Sequence, residues 1–461
     1  MELEEFVKQN LNEALDNLSK WIQINSIDDS ENATPLKPFG EGVYNALQFI
    51  AHLAKDAGFE VDECEGYCTE IKLGNGPKII SLYAHADVVP VSGDWIHPPF
   101  SGVIDGDVMY GRGTSDDKGP AMAAFYALKY LKDNFDLGDY QVRLVIGGNE
   151  EKGSRCLEHY FHVLHKPNPD YGFTPDGDFP LIYGEKGISN YRSELDVNLY
   201  PLIKFEAGVV INSVPDVAKA ILFKDESLED ALENAKHKFE IKYFEDKMEV
   251  TLFGKASHGS LPQDGVNAGL ELLKVIGKHY NLELLNILTK AYEDPFGKNL
   301  DLYFETPLLH NSTYNVGLIN YENNKFVMQV NFRYPENVKI EKVIISLNKK
   351  LPLKTTLMSE SKHLLFDPNS EMVQTLLKAY QDVTGDTKSE IMTIGGGTYA
   401  KECKNTIAFG SAFPGRNDKI HDANESIHLC DFEKSISIYA TAIMYLSKLW
   451  EWKIRSGQFH S

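Results

Sequence analysis

Lys78-Ile79-Ile80-Ser81-Leu82-Tyr83-Ala84-His85-Ala86-Asp87 passes from an apolar run straight into a histidine and an acid. The run to Tyr83 predicts a buried strand, with His85 just beyond it. Leu144-Val145-Ile146-Gly147-Gly148-Asn149-Glu150-Glu151 repeats the pattern, a strand leading into paired carboxylates. Between them, Gly111-Arg112-Gly113-Thr114-Ser115-Asp116-Asp117-Lys118-Gly119-Pro120 is a glycine loop with paired acids, followed by the apolar helix start 121–128. Pro120 suits the first helical position, where a missing N–H costs nothing. Strands alternating with helices, with polar groups at the strands' carboxyl ends, predict an open α/β sheet.

Two weaker stretches extend the set. Tyr171-Gly172-Phe173-Thr174-Pro175-Asp176 ends in a turn signature, and Lys419-Ile420-His421-Asp422 holds an isolated histidine. Their order and context beside the other three raise both above a bland reading. His85, Asp116, Glu151, Asp176 and His421 form the ligand inventory of a co-catalytic two-metal hydrolase site. Imidazole and carboxylate both suit borderline divalent ions such as zinc. Five groups are one more than a single tetrahedral ion takes, and a carboxylate shared between two ions would use them all. Paired acids also allow a division of labour, one binding metal and its neighbour acting as general base. Asp87, two residues after His85, can lie beside the imidazole.

Composition bounds the rest. The chain has 461 residues, 43% of them hydrophobic, enough for a large core and more than one compact unit. A formal charge of −21 argues against nucleic acid and anionic membrane as partners, since both require clustered positive charge. Five scattered cysteines without a Cys-x-x-Cys pair fit a reducing compartment. Leu3, Val7, Leu11, Leu15, Leu18 and Ile22 follow the helical period, with no basic start or apolar core of a signal peptide. A cytoplasmic location is expected.

Along the chain, residues 1–186 predict the first part of a catalytic α/β domain with a central mixed sheet. Residues 187–366 shift to shorter alternating strands, among them Lys247 to Phe253 and Lys325 to Phe332, and predict an inserted α+β lid domain. Residues 367–461 return to α/β character, with helices over Glu371 to Thr384 and Phe432 to Trp452 and a strand over Thr406 to Phe409. His421 would then join the same site as His85.

The five motifs, in this order, resemble the aminoacylase and carnosinase superfamily of metallopeptidases, most closely the bacterial Xaa-His dipeptidase subgroup of the PepV type. The resemblance covers essentially the whole chain. It implies two divalent ions, zinc first with manganese or cobalt as alternatives, bridged by Asp116. His85 and Glu151 would complete one ion's ligands, and Asp176 or His421 would serve the second. Glu150 matches the general base, Asp87 the acid hydrogen-bonded to His85, and the Asp116–Asp117 peptide is expected to be cis. In the lid, His258 of Gly254-Lys255-Ala256-Ser257-His258 matches the oxyanion-stabilising imidazole. Asn212 would bind near the reacting carbonyl, and Arg333 would bind the substrate's carboxylate. Gly395-Gly396-Gly397-Thr398 matches a loop at the dipeptide's C-terminus, where backbone N–H groups cradle a carboxylate.

The resemblance therefore implies a metal-dependent dipeptidase acting on small peptides with a free carboxylate. The long insert implies a monomer, with a homodimer as the alternative. An N-acyl amino acid deacylase, desuccinylase or carboxypeptidase would use the same metals with a different pocket. A catalytically silent peptide-binding protein is the more distant rival, expected to have lost ligands that are all present here.

Overall fold

The apolar runs that lead to His85, Glu151 and Asp176 lie side by side in the middle of one mixed sheet. The computed structural model describes residues 1–456. In its first unit the strands follow the order Glu60–Asp62, Cys68–Leu73, Tyr140–Gly147, Lys78–His85, Tyr171–Thr174 and Thr406–Ala408. Tyr140–Gly147, Lys78–His85, Tyr171–Thr174 and Thr406–Ala408 are mutually parallel. Cys68–Leu73 joins the first of these antiparallel. The central strand Lys78–His85 is apolar on both faces because both are covered. Ile80, Leu82, Tyr83 and Ala84 are all fully buried.

The covering helices include Leu3–Ile22, Glu41–Asp56, Lys118–Asn134, Glu371–Thr384 and Leu429–Ser456. The helix after the glycine loop begins at Lys118, so Pro120 is its third residue, not its first. The proline is still harmless, because none of the first four N–H groups of a helix has an intrahelical acceptor. Gly119 has a steric reason: a Cβ there would lie 1.9 Å from the Thr114 carbonyl oxygen.

A small antiparallel sheet of Val103–Asp105, Val108–Tyr110 and Ser426–His428 ties the C-terminal part of the chain to the glycine loop. Ser426 pairs with Tyr110, and the Gly111 N–H donates to the Glu425 carbonyl at 3.0 Å.

By its internal contacts the chain divides into two compact units. One comprises residues 1–183, 366–392 and 398–461, and the other residues 184–365 and 393–397. The short segment 393–397 falls with the second unit, although the sequence predicts it inside the C-terminal α/β part. Lys186 N–H donates to the Ile394 carbonyl at 3.0 Å, and Thr393 Oγ1 donates to the Leu308 carbonyl at 3.0 Å.

The second unit is built on an eight-stranded sheet of wholly antiparallel pairs. Its strands run Lys238–Tyr243, Lys247–Phe253, Val217–Phe223, Leu202–Ala207, Thr313–Glu322, Lys325–Tyr334, Gly187–Asp196 and Lys354–Ser361. Each unit has its own apolar core: Trp21, Tyr83, Phe125 and Tyr439 in the first, Phe205, Leu252, Ile276 and Phe332 in the second. Among the described residues no helix is long and apolar enough to cross a membrane.

Candidate metal centre

Three of the parallel strands deliver one candidate group each beyond their carboxyl ends: His85, Glu151 and Asp176. Asp116 arrives from the glycine loop and His421 from the segment before Ser426. The five donor groups converge as two overlapping triads. His85, Asp116 and Asp176 form one, and Asp116, Glu151 and His421 the other, each with its donor atoms within 4.8 Å of one another. Asp116 belongs to both, one oxygen to each. Its Oδ1 lies 2.9 Å from His85 Nε2, and its Oδ2 lies 2.8 Å from His421 Nε2. Asp176 Oδ2 is 3.9 Å from His85 Nε2, and Glu151 Oε1 is 3.1 Å from His421 Nε2.

This grouping corrects one expectation. His85 is grouped with Asp176, not with Glu151. The reason is register: Tyr171–Thr174 is hydrogen-bonded directly alongside Lys78–His85, so the turn at its end brings Asp176 to His85. Glu151 lies four residues past the end of its own strand, far enough along a loop to reach His421 instead.

The Asp116–Asp117 peptide is cis, as the resemblance implies. Asp117 takes no part in either triad. Its Oδ2 accepts the His85 backbone N–H at 3.1 Å, and burial raises its carboxyl well above the ordinary range.

Asp87 also works differently from expectation. His85 Nδ1 lies 2.9 Å from the Asp87 backbone carbonyl and 3.5 Å from its carboxylate. The carboxylate instead accepts the N–H groups of Glu150 at 3.0 Å and Glu151 at 3.1 Å. Asp87 therefore orients His85 through its main chain and shapes the Glu150–Glu151 turn through its side chain.

The electrostatics call for a cation. With Nδ1 donating to a carbonyl, a neutral His85 turns its Nε2 lone pair toward a carboxylate oxygen 2.9 Å away. That nitrogen is fully buried against Asp116. Burial, then the neighbouring Asp116 charge, pushes Asp176 up to about 6 and Glu151 up to about 7. Burial also holds Glu150 well above the usual carboxylate range. In Asp116 burial is outweighed by hydrogen bonds from His421 and His85, and its carboxyl lies below that range. An excess of desolvated acids around exposed lone pairs is what divalent ions would neutralise, so the donor set fits a metal.

Sequence reading passed over the brace behind these ligands. Glu425 and Arg112 are both buried, with Arg112 Nη1 donating to Glu425 Oε2 at 2.6 Å. Asn149, also buried, donates to Asp28 at 2.7 Å and accepts the Arg155 N–H at 3.2 Å, fixing the loop that carries Glu150 and Glu151. The available signal was a charged residue at a glycine-rich turn (Arg112) and a second acid four residues past a ligand (Glu425).

The second unit groups the other expected residues among themselves. Arg333 is buried, its Nε donating to Asn331 Oδ1 at 2.7 Å and its Nη1 to the Gly395 carbonyl at 3.0 Å. Burial lowers its guanidinium to about 10. The Asn212 carbonyl accepts the Gly259 N–H at 2.7 Å, and Ser213 bridges to His258. His258 Nδ1 lies 2.7 Å from Ser260 Oγ. A Cβ on Gly395 would meet the Ser260 Cβ at 2.9 Å, so the glycine loop and the His258 loop are packed together. Gly396 and Gly397 follow in this unit. Thr398 falls with the first unit, where its Oγ1 accepts the Ala400 N–H at 3.1 Å and caps the turn Tyr399–Lys401.

The chain was compared with known proteins. Residues 81–445 match the family model described as "Peptidase family M20/M25/M40". A Bacillus subtilis protein described as "Putative dipeptidase YtjP" is 35% identical over 452 residues, covering 93% of this chain and 96% of its own. A similarly described Staphylococcus haemolyticus protein is 34% identical, covering 96% and 98%. Among solved structures, the yeast di-peptidase Dug1p from Saccharomyces cerevisiae superposes with a TM-score of 0.60 at 16% identity, covering 97% of this chain and 98% of its own. A metallo-carboxypeptidase from Sulfolobus solfataricus gives 0.60 at 20% identity, covering 95% and 100%. These two show a shared fold. With the family match spanning most of the chain and the ligand groups in place, the chain belongs to peptidase family M20/M25/M40 and is a metal-dependent peptidase.

Proposed function

We propose that this peptidase hydrolyses dipeptides bearing a free carboxylate, using two divalent ions, zinc first, that share the Asp116 carboxylate. The two triads meeting at Asp116, with Glu150 beside them, carry the assignment. The names of the relatives support the substrate class. His85 and Asp176 would hold one ion, and His421 and Glu151 the other. Bound there, such a pair would supply an acidified water and polarise the scissile carbonyl.

Glu150 is the assigned general base. Its desolvated carboxyl, raised by burial, suits both taking a proton from the attacking water and returning it to the leaving amine. Asp87 holds the turn that presents Glu150 through two accepted N–H bonds. By the resemblance, His258 is assigned to the developing oxyanion and Asn212 to the reacting carbonyl. Arg333, with Gly396, Gly397 and Thr398, is assigned to the substrate's carboxylate. We further propose a monomer in the cytoplasm.

The test is a panel assay on metal-stripped protein. Ala-Ala, Leu-Gly, β-Ala-His and N-acetyl and N-succinyl amino acids are each supplied with zinc, manganese, cobalt or no metal. The expected result is metal-restored cleavage of free dipeptides only. Cleavage confined to acylated substrates would move the enzyme to the deacylases.

Metal uptake should also depend on pH with a defined sign. Burial alone would lower the two imidazoles. The neighbouring Asp116 carboxylate, joined by that of Asp87 for His85 and of Glu151 for His421, raises both. Below those raised values each histidine carries a proton that an ion must displace, so metal binding releases protons and tightens as pH rises. Each imidazole deprotonated on binding contributes about a tenfold gain in apparent affinity per pH unit. Titration calorimetry of zinc at pH 7, in buffers of different ionisation enthalpy, checks this. Uptake without proton release would contradict it.

A further inference from the structure

We propose that the buried Arg112–Glu425 pair is a positioning device for the metal centre, fixing the shared Asp116 and the distant His421 with respect to each other. The proposal rests on the two-ion reading above. Neither residue is a ligand, and neither belongs to a triad.

One oxygen of Glu425 acts on the glycine loop. Its Oε1 accepts the backbone N–H groups of Gly113 at 3.0 Å, Ser115 at 3.0 Å and Asp116 at 3.1 Å. Three N–H donors on one carboxylate oxygen set the path of the loop up to the residue that both triads share. The other oxygen, Oε2, takes the Arg112 guanidinium at 2.6 Å. Arg112 then reaches forward, its Nη2 donating to the His421 backbone carbonyl at 3.2 Å. His421 is held there with φ +65°, in the left-handed region that residues other than glycine adopt uncommonly, Asn, Asp and His most often. Such a backbone persists only where its surroundings over-determine it, and the Arg112 bond is one of those surroundings.

The pair thus closes a loop through the site: Asp116 N–H to Glu425, Glu425 to Arg112, Arg112 to the His421 carbonyl, and His421 Nε2 back to Asp116 Oδ2. The small sheet places the partners, since Ser426 pairs with Tyr110 next to both residues. Ser115 Oγ donates to the Ser426 carbonyl at 2.8 Å and adds a further tie. Charge is part of the design. Three N–H donors and a guanidinium all converge on this one carboxyl group, the arrangement of a strong acceptor.

Groups that orient metal ligands from behind typically change affinity or activity by about 10- to 100-fold when removed. The experiment compares wild type with Glu425→Gln and Arg112→Gln, on protein dialysed against a chelator and titrated with zinc. Three readouts are taken: bound zinc per chain, the melting temperature without metal, and kcat and KM for a cleaved dipeptide.

Glu425→Gln keeps the shape of the acceptor but lowers its charge, and should weaken zinc binding and kcat at least tenfold with KM within about threefold. Arg112→Gln leaves Glu425 on the loop but frees the His421 carbonyl. It should lose the ion held by Glu151 and His421 while retaining the other. A structural role alone would lower the melting temperature of both variants while the folded protein bound two zinc ions with wild-type affinity and kcat. That result overturns the proposal. Should Glu425→Gln fail to fold, Arg112→Gln and Arg112→Lys decide it, with Lys restoring part of the second ion's affinity. Failure of the two-ion reading is distinct, because wild type itself would then not bind two zinc ions.

Discussion

Replacing Glu150 with Gln should leave zinc content and melting temperature unchanged while lowering kcat by about a hundred- to ten-thousand-fold, the span of general acid–base catalysis. Glu150 is in neither triad, so its loss does not remove a donor atom. Gln is nearly isosteric and leaves the Asp87-held turn in place, since that turn depends on the main-chain N–H of residue 150. What disappears is the ability to accept a proton from the attacking water. The kinetic signature is a fall in kcat and kcat/KM together, with KM little changed. Steady-state kinetics beside metal analysis of the same preparation reads it, and undiminished turnover would remove Glu150 from the mechanism.

The second large effect is expected at Asp116. As the residue common to both triads, it should be the only ligand whose replacement empties the whole centre. Asp116→Ala is predicted to retain less than half an equivalent of zinc after dialysis and to show no measurable turnover. Asp176→Ala and Glu151→Ala should each keep close to one equivalent. The contrast matters more than the loss itself, because any broken ligand lowers activity. Equal zinc content across the three variants would mean that Asp116 is not shared. Metal-free Asp116→Ala should fold, as the surviving acids then repel one carboxylate fewer.

Much of this was readable before any coordinates. The helices Leu3–Ile22 and Glu371–Thr384 lie where the apolar periodicity puts them. The strand Lys78–His85 extends two residues beyond the predicted run, to the histidine itself. His85, Glu151 and Asp116 follow strong local signals, a strand end or a glycine turn, and the parallel strands bring those of His85, Glu151 and Asp176 together, whereas His421 joins them without a signal of its own.

What the chain does not announce is pairing. Whether His85 shares an ion with Glu151 or with Asp176 depends on which strand lies alongside Lys78–His85, and strand order is a tertiary fact. The role of Asp87 was misjudged for a similar reason. A His-x-Asp spacing says the acid can reach the imidazole, but the loop from Gly147 to Glu151 offers two N–H groups that hold it better. Glu425 carries no signal of its own, since an acid in a polar stretch looks solvated until Ser426 is seen paired with Tyr110. The final helix begins at Leu429, three residues earlier than its apolar pattern suggested, because it follows directly on the short strand Ser426–His428.

The distance along the chain between Asp176 and His421 has a consequence for synthesis. A ribosome elongating at about 5–20 residues per second spends on the order of ten to fifty seconds between those two codons. Throughout that interval the nascent polypeptide already displays His85, Asp116, Glu151 and Asp176, yet lacks both His421 and Glu425. One triad draws only on residues made by then, whereas the other waits for His421. A product ending before residue 421 would therefore be expected to hold at most one ion and to cleave no dipeptide.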